Sequence, residues 1–269
     1  AFLCFGINMF ANKRQPAFIS AQDLLLGRIS NGRAQRKKEH DVYLPPPSTA
    51  PMKPLVGLVF FPGALVNHTA YASIAAALSD KGILVVVISL EPTRFVADIE
   101  INRQKAKEAI HDVVRANHVV VDEWVLAGHS AGAMTALNLA VENEEKVIDA
   151  SISKAVVCGV GRNETGEKGA TLRSNSTPFQ VLVMNGTEDG ILKFVTKQQH
   201  EDFVNLLPPS QDDGNNDGCV GRTKFVTIDG GNHAQFGDYG PSSMDGTASI
   251  SSQEQQRIFV EATADFLLE

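Results

Sequence analysis

Residues 125–134 read Val-Leu-Ala-Gly-His-Ser-Ala-Gly-Ala-Met, and the rest of the chain is interpreted outward from this run. An apolar segment stops at a Gly-x-Ser-x-Gly pattern, and small residues with helical spacing follow it. This order predicts a strand, a very tight turn and a helix, with Ser130 in the turn. Gly128 and Gly132 are expected where a Cβ would collide with the neighbouring chain. The turn would lift the Ser130 hydroxyl above the sheet edge, as in a nucleophile elbow.

Strand-like and helix-like segments alternate on both sides of this turn. Strand patterns, several of them continuously apolar as in strands buried on both faces, occupy residues 55–61, 83–90, 123–127, 155–160, 179–184 and 224–228. Helical spacing occupies residues 69–81, 94–116, 131–143, 192–207 and 253–268. The alternation predicts an α/β fold with a mostly parallel central sheet and helices on both faces. In such sheets ligands bind beyond the carboxyl ends of the strands.

The N-terminal part has a different pattern. Residues 17–47 carry β-like runs with an Asn31-Gly32 pair, which predicts an antiparallel hairpin closing one sheet edge. Residues 1–16 form an apolar segment that is read either as the tail of a removed targeting or anchoring region or as a helix lying on the domain. Membrane association through this segment is one expectation. Residues 17–269 are expected to form a single domain.

Composition excludes some classes of partner. The 269 residues carry a formal net charge of −7, which argues against a nucleic-acid partner. The basic cluster around Arg33, Arg36, Lys37 and Lys38 is read as a solvated hairpin face. The three cysteines have no metal-ligand spacing and imply no disulfide framework. Sequons at Asn67, Asn163, Asn175 and Asn185 would fit a secretory route, although the compartment stays open.

A serine hydroxyl is a weak nucleophile that needs a base within hydrogen-bond reach and an acid to orient that base. For a serine in such an elbow, the acid and then the histidine follow along the chain. Asp189 comes after the strand at 179–184 and is the expected acid, with Glu188 as the alternative. His233 comes after the strand at 224–228 and is the expected base. The competing interpretations are an ordinary turn aspartate and a loop histidine.

Two backbone N–H groups should stabilise an oxyanion. Ala131 supplies one of them, and the Pro-Gly turn after the strand at 55–61 supplies the other from Ala64, with Leu65 as the alternative donor. Leu65, His68 and His129 are the expected substrate-pocket residues, and His129 should also pack beneath the elbow. No metal or organic cofactor is required by this chemistry. Gln235, Asp238, Tyr239 and Asp245 are expected to hold the His233 loop rigid.

At this point the chain resembles a known family. Gly128-His-Ser-Ala-Gly132 together with Asp229-Gly-Gly-Asn-His-Ala-Gln-Phe-Gly-Asp-Tyr-Gly240 is similar to α/β-hydrolase family 5, which is related to dienelactone hydrolases and small esterases. The likeness covers residues 54–269 and implies the α/β-hydrolase fold. It also implies Ser130, Asp189 and His233 as a catalytic triad, with Ala64 and Ala131 as oxyanion donors. The chain departs from the family pattern at Ala131, where a bulkier residue is usual, and at Pro241, where a Gln is usual.

These observations favour a serine hydrolase that cleaves a small-molecule or lipid-like ester. An acyltransferase using the same residues and a non-catalytic binding protein on the same scaffold are the alternatives. The long loops at 162–178 and 208–221 are candidates for a lid or a mobile insert.

Overall fold

The computed structural model describes residues 14–47, 54–90, 99–142, 152–162, 171–173, 178–210 and 221–269. Within these ranges, eight strands form one sheet and six α-helices accompany it. The strands are β1 (Ala34–Arg36), β2 (His40–Tyr43), β3 (Val56–Phe61), β4 (Leu84–Ile88), β5 (Glu123–His129), β6 (Ile152–Cys158), β7 (Gln180–Gly186) and β8 (Arg222–Ile228). The helices are α1 (Ile19–Ser30), α2 (Ala72–Asp80), α3 (Ile99–Asn117), α4 (Ala131–Glu142), α5 (Lys197–Leu206) and α6 (Ser252–Leu268). Single 3₁₀ turns occupy His68–Tyr71, Leu192–Phe194 and Ala234–Phe236.

The strand order is β1-β2-β4-β3-β5-β6-β7-β8. Strands β3 to β8 run parallel, whereas β1 and β2 are antiparallel at one edge. The register aligns the last residues of neighbouring parallel strands, pairing Phe61 with Gly128 and His129 with Cys158. The loops that follow β3, β5, β6, β7 and β8 therefore emerge side by side. The expected mostly parallel sheet with an antiparallel pair at one edge is confirmed.

Each face of the sheet has its own apolar core, because successive strand residues point to opposite faces. Along β3, Leu58 and Phe60 pack with the buried residues of α1, α2 and α6, whereas Val59 and Phe61 pack with those of α3, α4 and α5. All six residues of β3 are buried. This explains the continuous apolar run in the sequence, since a strand covered by helices on both faces has no polar side.

The expected hairpin over residues 17–47 is wrong in its first half, because residues 19–30 form α1. The buried residues Ala21 and Leu25 are one helical turn apart. Asn31 is the C-cap and donates its N–H to the Gly27 carbonyl at 3.2 Å, and Gly32, with φ +74°, donates its N–H to the Ile29 carbonyl at 3.1 Å. The Asn-Gly pair therefore ends a helix. The antiparallel pair is formed by β1 and β2, which are joined by residues 37–39.

The basic cluster is not simply solvated. Arg33 forms an ion pair of 3.0 Å with Asp80, and Arg36 forms one of 3.0 Å with the buried Asp41. These contacts tie β1 to α2 and to β2.

Several expectations fall outside the described residues. These are Cys4, Cys219, Asn163, Asn175 and most of the loops 162–178 and 208–221. Cys158 is buried with a free thiol whose pKa burial raises well above its ordinary value. Within the described ranges, none of the helices combines the length and the apolar character needed to cross a membrane.

Gly132→Ala tests the close backbone packing behind the elbow. A Cβ at Gly132 would lie well inside contact distance of the carbonyl oxygens of Phe61 and Pro62, which are backbone atoms that cannot swing away. We expect the free energy of unfolding to fall by about 1–3 kcal/mol or more in urea titrations. Gly27→Ala is the matched control, since no atom lies within 4 Å of its added Cβ in α1. It should raise the free energy by about 0.5–1 kcal/mol; equal effects of the two variants would contradict this packing.

Candidate active site

Ser130 occupies the single residue between the end of β5 and the start of α4. Its φ is +55°, a left-handed conformation that is uncommon for a residue with a side chain. The Ser130 N–H donates to the Cys158 carbonyl over 2.9 Å, which ties the turn to the end of β6. A Cβ at Gly128 would collide with the backbone of Gly132, so the turn is as tight as the sequence pattern predicted. Strain of this kind concentrates at functional sites, where the surrounding structure holds it.

The elbow lies directly against the loop that follows β3. The backbone of Gly132 is in contact with the carbonyl groups of Phe61 and Pro62, leaving no room for a side chain. The start of this loop is therefore held by backbone contact against the first turn of α4, next to Ser130.

Asp189 and His233 form a hydrogen-bonded pair. His233 Nδ1 lies 2.8 Å from Asp189 Oδ2, and both residues are buried. The other carboxylate oxygen, Oδ1, accepts the N–H groups of Ile191 at 3.0 Å and Leu192 at 3.1 Å. Because the carboxylate accepts, we assign the proton to Nδ1 of His233, which leaves the Nε2 lone pair free. The alternative acid, Glu188, makes no described side-chain contact with this histidine.

The imidazole of His233 lies over the elbow. Its ring centroid is 4.5 Å from that of His129, the residue before Ser130. A Cβ on Gly159, the residue after the Cys158 that binds the Ser130 N–H, would stand 3.0 Å from His233 Cε1. Within the described residues, no hydrogen bond joins the Ser130 hydroxyl to His233. Catalytic hydrogen bonds are often long without substrate and shorten when it binds.

The backbone N–H groups of the loop after β3 and of Ala131 differ in whether they have an acceptor. The Gly63 N–H donates to the Tyr71 hydroxyl at 2.9 Å and the Val66 N–H donates to the Gly63 carbonyl at 3.2 Å. The N–H groups of Ala64 and Leu65 have no acceptor in the described part of the chain, and neither has that of Ala131. Leu65 has φ +59°, so this loop is strained like the elbow. The two donors expected from the sequence, and the Leu65 alternative, are therefore all unengaged.

Tyr71 and His129 form a buried polar pair beneath these two loops. The Tyr71 hydroxyl oxygen lies 2.9 Å from His129 Nδ1 and also accepts the Gly63 N–H. Burial raises the pKa of Tyr71 well above its ordinary value, so the phenol keeps its proton and donates it to Nδ1. Burial, with a smaller contribution from nearby His233, lowers the pKa of His129 well below its ordinary value. His129 is thus a neutral imidazole.

His129 is only 1% exposed. It packs beneath the elbow as expected, and with so little exposed surface its place in a substrate pocket stays a prediction. Its neighbours are the rings of Tyr71, His233 and Phe236, which fill the space around it. The sequence placed Tyr71 only on a helix face, so the hydrogen bond to His129 was not foreseen.

His68 is directed toward the sheet edge at β2. Its Nε2 lies 3.1 Å from Oδ2 of Asp41, a carboxylate that is 1% exposed and also binds Arg36. Burial works to raise the pKa of Asp41, but its hydrogen bonds with His68 and Arg36 outweigh this and lower it. His68 therefore anchors the chain just after the loop that follows β3. A place for His68 or Leu65 in a substrate pocket stays a prediction.

Residues 14–18 join two of the loops at this edge. The Gln15 N–H donates to the Leu65 carbonyl at 2.5 Å, and the Asn67 N–H donates to the Gln15 carbonyl at 3.0 Å. Three residues later, the Phe18 N–H donates to the Asp238 carbonyl at 2.8 Å. This strap links the loop after β3 to the loop after β8. Sequence reasoning missed it because isolated bridges of one or two residues have no periodic pattern.

Metal binding and glycosylation at Asn185 are two further kinds of chemistry that the described residues bear on. Among the described residues, no group of three or more His, Cys, Asp or Glu side chains is arranged to hold a metal ion. The side chain of Asn185 is bound at both ends to the backbone of Val160, at 3.1 Å and 3.0 Å. A glycan would replace one of the two hydrogens on this amide nitrogen, so only one N–H would remain to donate to the Val160 carbonyl.

Tyr71→Phe tests the buried pair. Removing the hydroxyl leaves the Gly63 N–H and His129 Nδ1 without partners, so we expect a loss of about 1–3 kcal/mol in unfolding free energy. Tyr43→Phe is the matched control, because the Tyr43 hydroxyl is also buried and has no hydrogen-bond partner among the residues that the structure describes. Its removal should be neutral or slightly stabilising. The hydrogen-bonded role of Tyr71 is refuted if the two variants unfold at the same denaturant concentration.

Comparisons with known proteins agree with this architecture. Among solved structures, a ferulic acid esterase from Streptomyces cinnamoneus superposes with a TM-score of 0.55 at 16% identity, covering 80% of this chain and 66% of that one. FphF, a fluorophosphonate-binding serine hydrolase from Staphylococcus aureus, gives 0.52 at 14% identity, with 88% and 96% covered. An arylesterase gives 0.55 at 11% identity, with 93% and 97% covered. At these identities the likeness shows the fold alone.

A search of curated protein sequences found no significant match. A family model described as the alpha/beta hydrolase family matches residues 57–257, which is well over half of the chain. The matched region runs from β3 into α6 and includes Ser130, Asp189 and His233. With the strand order of the sheet and the elbow at its centre, this match shows that the chain belongs to the alpha/beta hydrolase family.

Proposed function

We propose that the protein is a serine hydrolase that cleaves carboxylic esters through an acyl-enzyme intermediate. The observation that carries the proposal is the 2.8 Å hydrogen bond between His233 Nδ1 and Asp189 Oδ2, placed over an elbow in which Ser130 has φ +55°. A histidine oriented in this way presents its free nitrogen away from the acid, as a general base must. Ser130 is the proposed nucleophile because it directly follows His129, whose ring lies 4.5 Å from that of His233.

In the proposed reaction, Ser130 Oγ forms a bond to the ester carbonyl carbon while His233 Nε2 takes the hydroxyl proton. The carbon–oxygen bond to the leaving alcohol then breaks, and His233 returns the proton to that oxygen. Water attacks the acyl-enzyme with the same histidine as base, releasing the acid and free Ser130. Asp189 orients the imidazole and stabilises its charged form throughout.

The negative oxygen of the tetrahedral intermediate is assigned to the N–H of Ala131 and one N–H of the loop after β3. Ala64 is the proposed second donor and Leu65 the neighbouring one. These N–H groups have no acceptor among the described residues, so they need no rearrangement when charge develops. Such fixed donors contribute about 3–4 kcal/mol each to transition-state stabilisation.

The neutral state of His129 also suits this chemistry. Its ring lies 4.5 Å from the His233 ring, and burial keeps its pKa well below the ordinary value. A positive charge at His129 would oppose the imidazolium that His233 forms during catalysis. Keeping His129 uncharged removes that repulsion.

Small esters are the proposed substrate class. Support comes from structural neighbours that are named as a ferulic acid esterase and an arylesterase. A panel of p-nitrophenyl esters graded by acyl length will report the depth of the acyl pocket.

Ser130→Ala tests the nucleophile. We expect it to abolish turnover of p-nitrophenyl acetate and labelling by a fluorophosphonate probe, since no other hydroxyl occupies the elbow. Ser30→Ala is the control, because that hydroxyl lies at the exposed end of α1 and, within the described ranges, hydrogen-bonds the Gly27 carbonyl alone. Full turnover by a folded Ser130→Ala protein would reject the proposal.

Asp189→Asn tests the orienting acid. The amide can place a donor against His233 Nδ1 and so favour the wrong tautomer, which should lower kcat by about 10⁴-fold. Glu188→Gln, which removes the neighbouring carboxylate, should change kcat little. Steady-state kinetics on the same ester compares the two variants. A larger loss of kcat in Glu188→Gln would show that Glu188, and not Asp189, is the orienting acid.

A further inference from the structure

We infer that Asp245 is a positioning residue that fixes the acid loop and the histidine loop relative to each other. The inference rests on the proposed function, since it concerns how Asp189 and His233 are held for catalysis. Asp245 lies between the site and α6, in a segment without regular secondary structure. It touches neither Ser130 nor the imidazole ring by any described hydrogen bond.

The Asp245 carboxylate accepts four backbone N–H groups. Oδ1 accepts those of Gly190 at 3.0 Å, His233 at 3.1 Å and Gly246 at 3.0 Å, whereas Oδ2 accepts that of Ala234 at 2.7 Å. Gly190 follows the acid directly, and His233 is the base itself. One carboxylate therefore binds the loop after β7 and the loop after β8 at the residues that matter for their alignment.

The segment around Asp245 is wedged between these loops. A Cβ on Gly190 would collide with the backbone of Met244 and Asp245. The Gly246 N–H donates to the Glu188 carbonyl at 3.0 Å, and the Gly246 carbonyl accepts from Asn232 Nδ2 at 2.8 Å. The carboxylate thus cannot shift without moving both loops.

A second contact between the loops makes the role of Asp245 specific. The Glu188 N–H donates to the Gly231 carbonyl at 2.8 Å, which joins the loops on the upstream side of the acid and the histidine. Asp245 joins them on the downstream side. On the upstream side, the Thr187 N–H also donates to the Ile228 carbonyl at 3.1 Å and the Gly230 N–H donates to Thr187 Oγ1 at 2.9 Å. These upstream bonds do not reach Gly190, His233 or Ala234, so without Asp245 the loops could separate there and lengthen the 2.8 Å contact between His233 and Asp189. Fixing both sides removes that freedom.

Asp245→Asn separates a positioning role from general stability. The amide nitrogen cannot accept, so the variant loses either the Ala234 bond at the Oδ2 position or the Gly190 and His233 bonds at the Oδ1 position, and in both cases the histidine loop is held less firmly. We expect kcat for p-nitrophenyl acetate to fall by about 10–100-fold with KM unchanged. Asp229→Asn, which removes an exposed charge from the same loop before His233, should leave both constants unchanged.

A double-mutant cycle shows whether Asp245 acts through the acid–base pair. In the Asp189→Asn background the pair is already broken, so adding Asp245→Asn should reduce kcat by less than about threefold. The low-field proton NMR signal of His233 Nδ1–H should also shift or broaden in Asp245→Asn and remain in Asp229→Asn. An equal loss of kcat in both backgrounds, with an unchanged signal, overturns the inference.

Two further outcomes separate a failure of this inference from a failure of the proposed function. If wild-type protein neither hydrolyses esters nor labels at Ser130, the proposed function fails, and the NMR signal alone then tests Asp245. If Asp245→Asn does not fold, amide exchange of the wild-type protein replaces it. The N–H groups of Gly190, His233 and Ala234 should then exchange slowly and together. Exchange at the rate of exposed loop amides would overturn the inference that Asp245 holds the two loops.

Discussion

The contact on which the site depends is the close approach of two backbones, where the start of α4 meets the loop after β3. Gly132 lies against the carbonyl groups of Phe61 and Pro62, and Gly128 lies against Gly132. Side chains at these glycines would push the helix away from the loop. The same approach forces Ser130 into its left-handed conformation and sets the distance between its hydroxyl and the N–H groups of residues 64 and 65.

The remaining parts of the site reach this point because parallel strands end at one edge. Neighbouring strands are about 4.8 Å apart, so five consecutive loops arrive within a short distance of each other. Sheet geometry brings the loops close, but it does not fix their angles. Polar contacts between the loops fix these angles. Tyr71 binds Gly63 and His129, and residues 14–18 bind the loops after β3 and β8. The Asp245 carboxylate binds the loops after β7 and β8.

Much of this arrangement could be predicted from the sequence, for a physical reason. Buried parallel strands require continuous apolar runs, and the elbow requires glycines on both sides of the serine. Both features can therefore be recognised in short stretches of sequence. The order of serine, acid and histidine then follows from the order of the strands. The hairpin error at residues 19–30 arose because Asn31-Gly32 suits both a tight reversal and a helix end, and only the spacing of Ala21 and Leu25 distinguishes them.

Contacts between distant residues could not be predicted in this way. The Tyr71–His129 pair and the strap at residues 14–18 depend on which loops meet in space, and neither leaves a periodic signal. His129 shows the consequence: its place in the elbow could be predicted, but the aromatic rings that bury it could not.

The most direct test of the proposed mechanism is to detect a covalent acyl-enzyme on Ser130. Protein mixed with a p-nitrophenyl ester and quenched within milliseconds should show, by mass spectrometry of its peptides, one acyl group on the peptide containing Ser130. The adduct should disappear as product accumulates and should be absent when His233 is replaced by Ala. Turnover with no adduct on this peptide, or with the acyl group on another residue, would contradict the account.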